Sequence, residues 1–355
     1  MAKYCWRYVG MKEISVVIPC YNVEQYIDQC VESLVNQTLG IERMELIFVN
    51  DASTDSTLDK LAAWEQKYPD SIIVITLLEN SKQGTARNIG MEYASGYYLG
   101  FIDSDDYVEH DMYERMYRFH KAHDVDCVIC GRYNERLVDG KIVRSTTGPK
   151  QDGIMDLQNQ KYRSHAIGIA ATSGVVQRLY KREWLLELGV TFPEKMAYED
   201  NYFHGIINYY LNSVGLISAP LYHYRYHDSS TCHMRNTTHH LHRLKIELMK
   251  IEELMNRNLY ETYFQNIEFE FLHLYFVNTI ITMLRRLDEI PEGIVQEMQR
   301  TVRTLFPNWR ENELLKGEAE IKSVCQMIDY PFEIGNKSEV LKVFNSVYKK
   351  MTPND

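Results

Sequence analysis

The sequence lacks several features that would place it in a familiar class of protein. Its seven cysteines are scattered over 355 residues, without the even, dense spacing of a secreted disulfide framework. Lys and Arg form no block and the formal net charge is -10, which argues against nucleic acid because phosphate contacts need clustered cations. No apolar stretch reaches the roughly 20 residues of a membrane span. We therefore expect a globular protein of the cytoplasm that does not cross a bilayer.

Two nucleotide-binding signatures are also missing. No Gly-x-Gly-x-x-Gly follows the first predicted strand and no Gly-x-x-x-x-Gly-Lys-[Ser/Thr] occurs anywhere, so neither a dinucleotide site nor a P-loop is supported.

The closest cysteine pair, Cys127 and Cys130 in "DVDCVICG", has redox spacing but lies in an apolar run. A buried strand is the favoured interpretation of that run.

Strand-like and helix-like segments alternate over the first hundred residues. Continuous apolar runs predict four buried strands, and amphipathic segments between them predict helices; the runs are "ISVVIP" (14–19), "MELIFVN" (44–50), "SIIVITLL" (71–78) and "YYLGFID" (97–103). Strands that are apolar on both faces predict a doubly wound α/β domain with a mostly parallel sheet. From about residue 239 the pattern is helical, interrupted by Pro291, Pro307 and Pro331. We expect a leader of uncertain role at 1–11, a catalytic domain at 12–235 and a helical domain at 236–355.

Polar side chains follow each predicted strand at its carboxyl end, where ligands bind to such sheets. The densest group is "FIDSDD", in which side-chain alternation directs Asp103 and Asp105 to one side and Asp106 to the other. Two carboxylates there suit Mg²⁺, which takes one or two protein carboxylates and completes its shell with substrate phosphates and water. From the residues alone, a helix N-cap is an equally good interpretation.

Four segments in this order and spacing resemble the amino-terminal half of inverting family 2 glycosyltransferases with the GT-A fold: "VVIPCYN", "VNDASTDST", "ARNIG" and "FIDSDD". "YED" (198–200) resembles the acid pair of that family, and "YRYHDSST" (224–231) its later Arg/His segment. The resemblance covers roughly residues 12–232. It implies a GT-A type, Rossmann-like sheet flanked by helices, with the helical region as an extension, and a UDP-sugar donor bound with Mg²⁺ or Mn²⁺.

The resemblance also assigns donor-binding residues. Pro19, Tyr21 and Asp51 would hold the uracil, since an aromatic ring can stack on the base and a carboxylate can accept its imide N–H. Arg87 would contact the donor, and Asp103 the ribose or sugar. Two plainer interpretations stay open: Asp51 caps a helix starting near Thr54, and Arg87 forms a surface salt bridge.

The metal and the chemistry follow from the same resemblance. Asp105 would bind the metal across the diphosphate, Arg225 would donate to the phosphates, and His227 would assist as a metal ligand, unless it is merely packed among tyrosines.

Asp200 would be the general base that activates the acceptor hydroxyl, with Glu199 in a supporting role. Adjacent residues of a helix diverge by roughly 100°, so only one of them can be the base. The family usually has Gly before the acids and Trp after them. Here Tyr198 and Asn201 stand in those places, which leaves acceptor recognition open.

The sequence therefore predicts an inverting hexosyl or N-acetylhexosaminyl transferase that extends a saccharide or lipid-linked saccharide acceptor in surface polysaccharide biosynthesis. A sugar nucleotidyltransferase would need a Gly-rich basic loop after the first strand, which "CYNVEQYID" lacks. The presence of both Asp105 and Asp200 argues against a non-catalytic nucleotide-sugar-binding scaffold protein. Peripheral contact with the inner face of the membrane and a homodimer through the helical region stay open. The histidines at 233, 239, 240 and 242 are expected to be mostly solvated.

Overall fold

The structure is a computed structural model that describes residues 12–158, 161, 163–170, 174–227 and 236–348. The predicted leader at 1–11, residues 228–231 of the later Arg/His segment and His233 lie outside these described residues.

The chain divides into two compact units. The first comprises Met1–Gln160, Ile167–Lys195 and Tyr210–Tyr226, and the second comprises Lys161–Ala166, Met196–Tyr209 and His227–Asp355. The acid pair Glu199–Asp200 therefore belongs to the second unit. The domain boundary at residue 235 stays a prediction.

Within the residues that the structure describes, the first unit is built on one sheet of ten strands. In chain order these are β1 (Ile14–Cys20), β2 (Met44–Asn50), β3 (Ile72–Thr76), β4 (Tyr98–Phe101), β5 (Tyr107–Val108), β6 (Cys127–Val138), β7 (Lys141–Thr147), β8 (Gly153–Asp156), β9 (Arg178–Lys181) and β10 (Ser213–Tyr226). Every residue of β1 and β2 is buried, because both faces of these central strands are covered. Cys127 and Cys130 are buried within β6, which confirms the strand interpretation of their segment.

The sheet is mixed rather than mostly parallel. Its order is β3-β2-β1-β4-β9-β6-β10-β5, with β7 added to β6 and β8 to β10. β3, β2, β1 and β4 are parallel, as predicted, whereas β9 is antiparallel to both β4 and β6. Apart from the two-residue strand β5, which pairs antiparallel with β10, the antiparallel pairings are made by strands after residue 124, where the strand–helix alternation weakens. β4 ends at Phe101, two residues before the predicted end, so Ile102 and Asp103 already belong to the loop.

Helices flank this sheet and form most of the second unit, which confirms the predicted fold class. Those that contribute to the first unit are α1 (Ile27–Val35), α2 (Thr57–Lys67), α3 (Lys82–Tyr93), α4 (Met112–His123), α5 (Arg163–Ala170, shared by both units) and α6 (Arg182–Glu187). Those of the second unit are α7 (Glu199–Ile207), α8 (Thr237–Asn256), α9 (Phe264–Phe271), α10 (Asn278–Arg286), α11 (Ile294–Leu305), α12 (Ala319–Cys325) and α13 (Lys337–Val347). Pro291, Pro307 and Pro331 all lie between helices, as expected.

One helical run of the second unit is longer than the apolar stretches that the sequence analysis considered. A π-helical turn, Leu272–Val277, joins α9 to α10, so that Phe264–Arg286 forms 23 continuous helical residues. By length and composition alone this run could cross a membrane. However, 67% of the most apolar part of this run is buried within the protein, as in the core helix of a globular unit.

Candidate active site

The loops after β1 and β2 are tied to each other at the carboxyl ends of the two strands. The backbone N–H of Asn22 donates to Ser53 Oγ (3.1 Å), and the backbone N–H of Thr54 donates to Asn22 Oδ1 (2.8 Å). Asn22 and Ala52 both have positive φ angles, of 51° and 58°, which let the chain turn sharply out of each strand. Tyr21, directly before the first of these turns, is 46% exposed and therefore accessible to a ligand.

Asp51 does not cap α2, so that interpretation of the residue is wrong. The backbone N–H of Thr57 at the start of α2 donates instead to Asp55 Oδ1 (3.0 Å). Asp51 is buried, and its Oδ1 accepts a hydrogen bond from the backbone N–H of Ser81 (2.7 Å), just before α3. Burial raises the pKa of this carboxyl, and the backbone donors at Ser81 and Lys82 partly offset the rise.

Arg87 and Asp103 form an ion pair with each other. Arg87 projects from α3, its side chain is only 5% exposed, and its Nη2 donates to Asp103 Oδ1 over 2.7 Å. The guanidinium also lies 5.4 Å from the ring centroid of Phe192. The plainer interpretation of Arg87 was a surface salt bridge; the salt bridge is present, but the arginine that forms it is buried rather than on the surface. The fold brings together two residues that the family pattern assigned to the donor separately.

The acid cluster divides into one buried and two half-buried carboxyls. Asp106 is completely buried, where its Oδ2 accepts from the Tyr222 hydroxyl (2.6 Å) and its Oδ1 from the backbone N–H of Arg225 (2.8 Å). Burial, together with the nearby charges of Asp105 and Asp103, raises the pKa of Asp106 well above its usual range. Asp103 and Asp105 are half-buried. Asp106 therefore holds β10 to the loop after β4, and its neighbours lie closer to solvent.

Arg225 lies on β10 beside this cluster. Its guanidinium packs over two aromatic rings, 4.6 Å from the Tyr107 centroid and 5.5 Å from that of Tyr26. Its Nη2 is buried, and no hydrogen-bond acceptor for it is found in the part of the chain that the structure describes. A buried guanidinium nitrogen without an acceptor is costly unless a ligand supplies one. This nitrogen is therefore suited to an anion.

The residues around Asp105 fit a metal ion that arrives with its ligand better than a resident one. Within the described ranges, no group of three or more His, Cys, Asp or Glu side chains could hold a metal ion. Asp103 is engaged by Arg87 and Asp106 by Tyr222. Mg²⁺ needs only one or two protein carboxylates when diphosphate oxygens and water complete its octahedron. Asp105 and His227, both half-buried, are the residues that would hold such an ion; His227 directly follows β10.

The acid pair opens α7 in the second unit. Glu199 is 2% exposed, whereas Asp200 is half-buried, so the two carboxyls differ in access to solvent as their divergence on a helix predicts. The Oδ1 of Asp200 accepts from the backbone N–H of Asn201 (2.9 Å). The residue before the pair, Tyr198, is the N-cap of α7 and has a φ of 64°.

The expectation that the histidines after residue 232 are mostly solvated is wrong for those that the structure describes. His240 is buried, His239 and His242 are half-buried, and the Tyr198 hydroxyl is 2.7 Å from His240 Nδ1. Their sequence spacing offered no metal set and therefore no reason to expect burial. Tyr198 has a left-handed backbone, and the glycine that the family pattern usually has at that place is the one sequence signal for this conformation.

A second buried network was missed by sequence reasoning. The imidazole of His223 lies between two carboxylates, with Nδ1 2.9 Å from Glu135 and Nε2 2.9 Å from Glu109, and it stacks on Tyr107 at 4.1 Å. Glu135 also accepts from Arg144 Nε (2.7 Å). These residues come from β5, β6, β7, β10 and the segment after β5, so no local pattern connects them. The network supports Tyr107, which in turn packs against Arg225.

Comparison with known proteins shows which protein family this chain resembles. The model of "Glycosyl transferase family 2" matches residues 15–188. The chain is 34% identical to the putative glycosyltransferase EpsH of Bacillus subtilis (strain 168) over 226 residues, which cover 61% of this chain and 62% of that protein. It is 30% identical to the glycosyltransferase GlyG of Streptococcus pneumoniae over 218 residues, covering 60% of this chain and 70% of that protein.

Another relative is considerably longer than this chain. The poly(ribitol-phosphate) beta-glucosyltransferase of Bacillus spizizenii is 34% identical over 215 residues, which cover 60% of this chain but 32% of that protein. The chain thus spans about a third of this relative and less than two thirds of EpsH.

Among solved structures, S. aureus TarS 1-349 in complex with UDP superposes with a TM-score of 0.58 and 19% identity, covering 88% of this chain and 90% of that chain. The same protein in complex with UDP-GlcNAc gives a TM-score of 0.57, also at 19% identity, covering 94% of this chain and 91% of that chain. At that level of identity the likeness shows the fold alone.

Proposed function

Because this chain belongs to glycosyl transferase family 2, we propose that it transfers a sugar from a UDP-sugar to a hydroxyl of a growing surface polysaccharide, with inversion at the anomeric carbon. The observation that carries the proposal is the buried Nη2 of Arg225, which has no acceptor among the described residues. Arg225 lies on β10, and its backbone N–H donates a hydrogen bond to Asp106 of the acid cluster. A nucleoside diphosphate would supply the missing acceptor.

The donor nucleotide would lie across the carboxyl ends of the parallel strands. Tyr21 offers an exposed aromatic side chain for stacking on the base, and Pro19 is the penultimate residue of the buried strand that precedes it. The Asp51 carboxylate would accept the imide N–H of uracil, a donor that cytosine lacks. Arg87 would contact the donor, holding Asp103 in place for the ribose or the sugar through their ion pair. The solved complex of TarS with UDP, a protein of similar fold, supports a uridine nucleotide.

A divalent ion, Mg²⁺ or Mn²⁺, would neutralise the charge that develops on the diphosphate as the glycosidic bond breaks. Asp105 would hold that ion, assisted by His227. Arg225 would donate to the same phosphates from the protein side. The chain's own share in leaving-group departure is thus one carboxylate for the ion and one guanidinium for the oxygens.

Asp200 would take the proton from the acceptor hydroxyl. Of the two acids it is the one with access to solvent, and the base must reach a hydroxyl that arrives from solvent. Glu199, which is buried, would support the start of α7 or contact the acceptor.

The acceptor class is proposed from the relatives. Their names include a poly(ribitol-phosphate) glucosyltransferase and a minor teichoic acid biosynthesis protein, GgaB, of Bacillus subtilis. We infer a hydroxyl-rich, membrane-associated glycan or polyol polymer as the acceptor and the cytoplasmic face of the membrane as the place of reaction.

The experiment that tests the activity is a screen of UDP-sugars for release of UDP by the native chain, with Mn²⁺ and without an added acceptor. Asp200→Asn keeps the size of the side chain but removes its basicity. We expect release to fall by about 10²-fold or more in this variant, with UDP affinity unchanged. Equal loss of turnover and of UDP binding would mean that Asp200 is structural. Glu187→Gln, at the end of α6, is a matched control for removal of one carboxylate.

A further inference from the structure

We propose that three side chains of the first turns of α8, namely His240, His242 and Arg243, act as positioning residues for the acid pair. We call them the α8 clamp. They hold the backbone at Ala197 and Tyr198, directly before Glu199 and Asp200. The inference rests on the proposed function, since only there is Asp200 the base.

The conformation of Tyr198 is the first observation. Its φ is 64° and its ψ is 23°, in the left-handed region, and α7 begins at the next residue. In this region the Cβ of an L-residue crowds the following carbonyl, and glycine alone enters it without that penalty. A bulky residue persists there only when its surroundings hold it. The glycine expected from the family pattern and the tyrosine found here thus need different support.

The α8 clamp supplies that support. The Tyr198 hydroxyl is 2.7 Å from His240 Nδ1, and the Arg243 guanidinium carbon lies 4.2 Å from the centroid of the same ring. The backbone N–H of Ala197 donates to His242 Nδ1 over 3.1 Å. Two consecutive residues before the acid pair are thus bonded to side chains of a single helix. His240 is only 2% exposed, so this bond is shielded from water.

The clamp is itself anchored. Asn236 caps α8 by accepting from the backbone N–H of His239 (3.0 Å), which fixes the helix start from which the three side chains project. Arg243 Nη1 donates to Thr282 Oγ1 on α10 (2.8 Å). Two turns further along α8, Lys250 packs against α7 at Gly205, where an added Cβ would come within 2.9 Å of Lys250 Cδ. α7 is therefore held against α8 near both of its ends.

The backbone at residue 198 sets the direction in which α7 starts. Glu199 and Asp200 are the first two residues of that helix, so a change in φ at Tyr198 turns both carboxyls together. Misplacement of a catalytic group by about 1 Å can cost about 10²-fold in rate. The clamp should therefore act on turnover rather than on donor affinity.

The test uses the full chain and compares Arg243→Ala in two backgrounds, native and Tyr198→Gly. UDP release from UDP-glucose and UDP-N-acetylglucosamine with Mn²⁺ is measured together with the Kd for UDP. In the native background we expect turnover to fall about tenfold or more, with Kd unchanged. In the Tyr198→Gly background the same change should cost less than about threefold, because glycine holds the left-handed conformation unaided. Equal losses in the two backgrounds would overturn the proposal.

Arg310→Ala is the matched control, since Arg310 also stacks on an aromatic ring of the second unit, 4.7 Å from the centroid of Trp309. Its effect on turnover should be the same in both backgrounds. Melting temperatures distinguish failure of the clamp proposal from failure of the proposed function. They are measured for the native chain, Arg243→Ala, Tyr198→Gly and the double variant. If no UDP-sugar is turned over, the proposed activity fails. The clamp still predicts a larger fall in Tm for Arg243→Ala in the native background than in the Tyr198→Gly background, and equal falls would refute it.

Discussion

At the scale of single residues, the carboxyl groups of the site differ in the hydrogen-bond donors that they accept from. Asp51 accepts from the backbone of Ser81, Asp103 from Arg87, and Asp106 from Tyr222 and from the backbone of Arg225. A sequence pattern can indicate that acids gather at strand ends. It cannot assign these partners, because all but one of them lie 30 or more positions away along the chain.

Asp51→Asn tests the proposed recognition of uracil. The amide oxygen can still accept from the Ser81 N–H, so the fold should be kept, but the amide presents a poorer acceptor to the imide N–H of the base. We expect UDP affinity to fall by about tenfold, in proportion to the loss of one charge-assisted hydrogen bond. Isothermal titration with UDP and with CDP measures this. The preference for UDP over CDP should shrink, and an unchanged preference would place the base elsewhere.

At the scale of elements, the four parallel strands and the helices between them could be predicted, because a continuous apolar run bounded by polar loops is a local signal. The antiparallel insertion of β9 between β4 and β6 could not. Four-residue strands carry little periodicity, and the pairing of β9 is set by non-local contacts. The sequence also did not predict that α7 belongs to the second compact unit, because a compact unit is defined by packing rather than by chain order.

Gly90, the glycine of "ARNIG", allows α3 to pack closely on β1. A Cβ at Gly90 would lie 2.3 Å from Val17 Cγ1, and Val17 is fully buried. Gly90→Ala should therefore lower the free energy of unfolding by about 1–3 kcal/mol through overpacking, which exceeds the gain of about 1 kcal/mol in helix propensity. Denaturant unfolding measures the change.

Gly168→Ala in α5 is the matched control. The described residues place nothing within 4 Å of a Cβ at that position, so only the helix-propensity gain applies. This variant should be slightly stabilised. A stabilised Gly90→Ala would mean that α3 lies farther from β1 than the structure has it.

At the scale of the whole molecule, each compact unit has a histidine whose pKa is lowered to about 4: the buried His120 in the first and the half-buried His273 in the second. Burial is the main cause in both cases, because it disfavours the charged imidazole. The unfolded chain, with histidine pKa values near 6.5, binds more protons than the folded chain between pH 4 and 6.5. These two groups therefore add stability as pH rises through that window and remove it on acidification.

His120→Gln isolates one of these contributions. Native protein should lose stability relative to the variant by roughly 2 kcal/mol when the pH falls from 7 to 5, because only the native chain has a histidine at 120 to protonate on unfolding. Urea unfolding at the two pH values measures the difference. His110→Gln, at an exposed position, is the control for replacing a histidine by glutamine in this chain. A pH-independent difference for His120→Gln would mean that His120 is hydrated in the folded protein.

The most direct test of the central claim is calorimetric titration of UDP into the native chain and into Asp105→Ala, each with and without Mn²⁺. The account predicts that Mn²⁺ tightens UDP binding to the native chain by about tenfold or more and that this gain disappears in Asp105→Ala. Native protein that binds no UDP, or an Asp105→Ala variant that keeps the full gain from Mn²⁺, would contradict it.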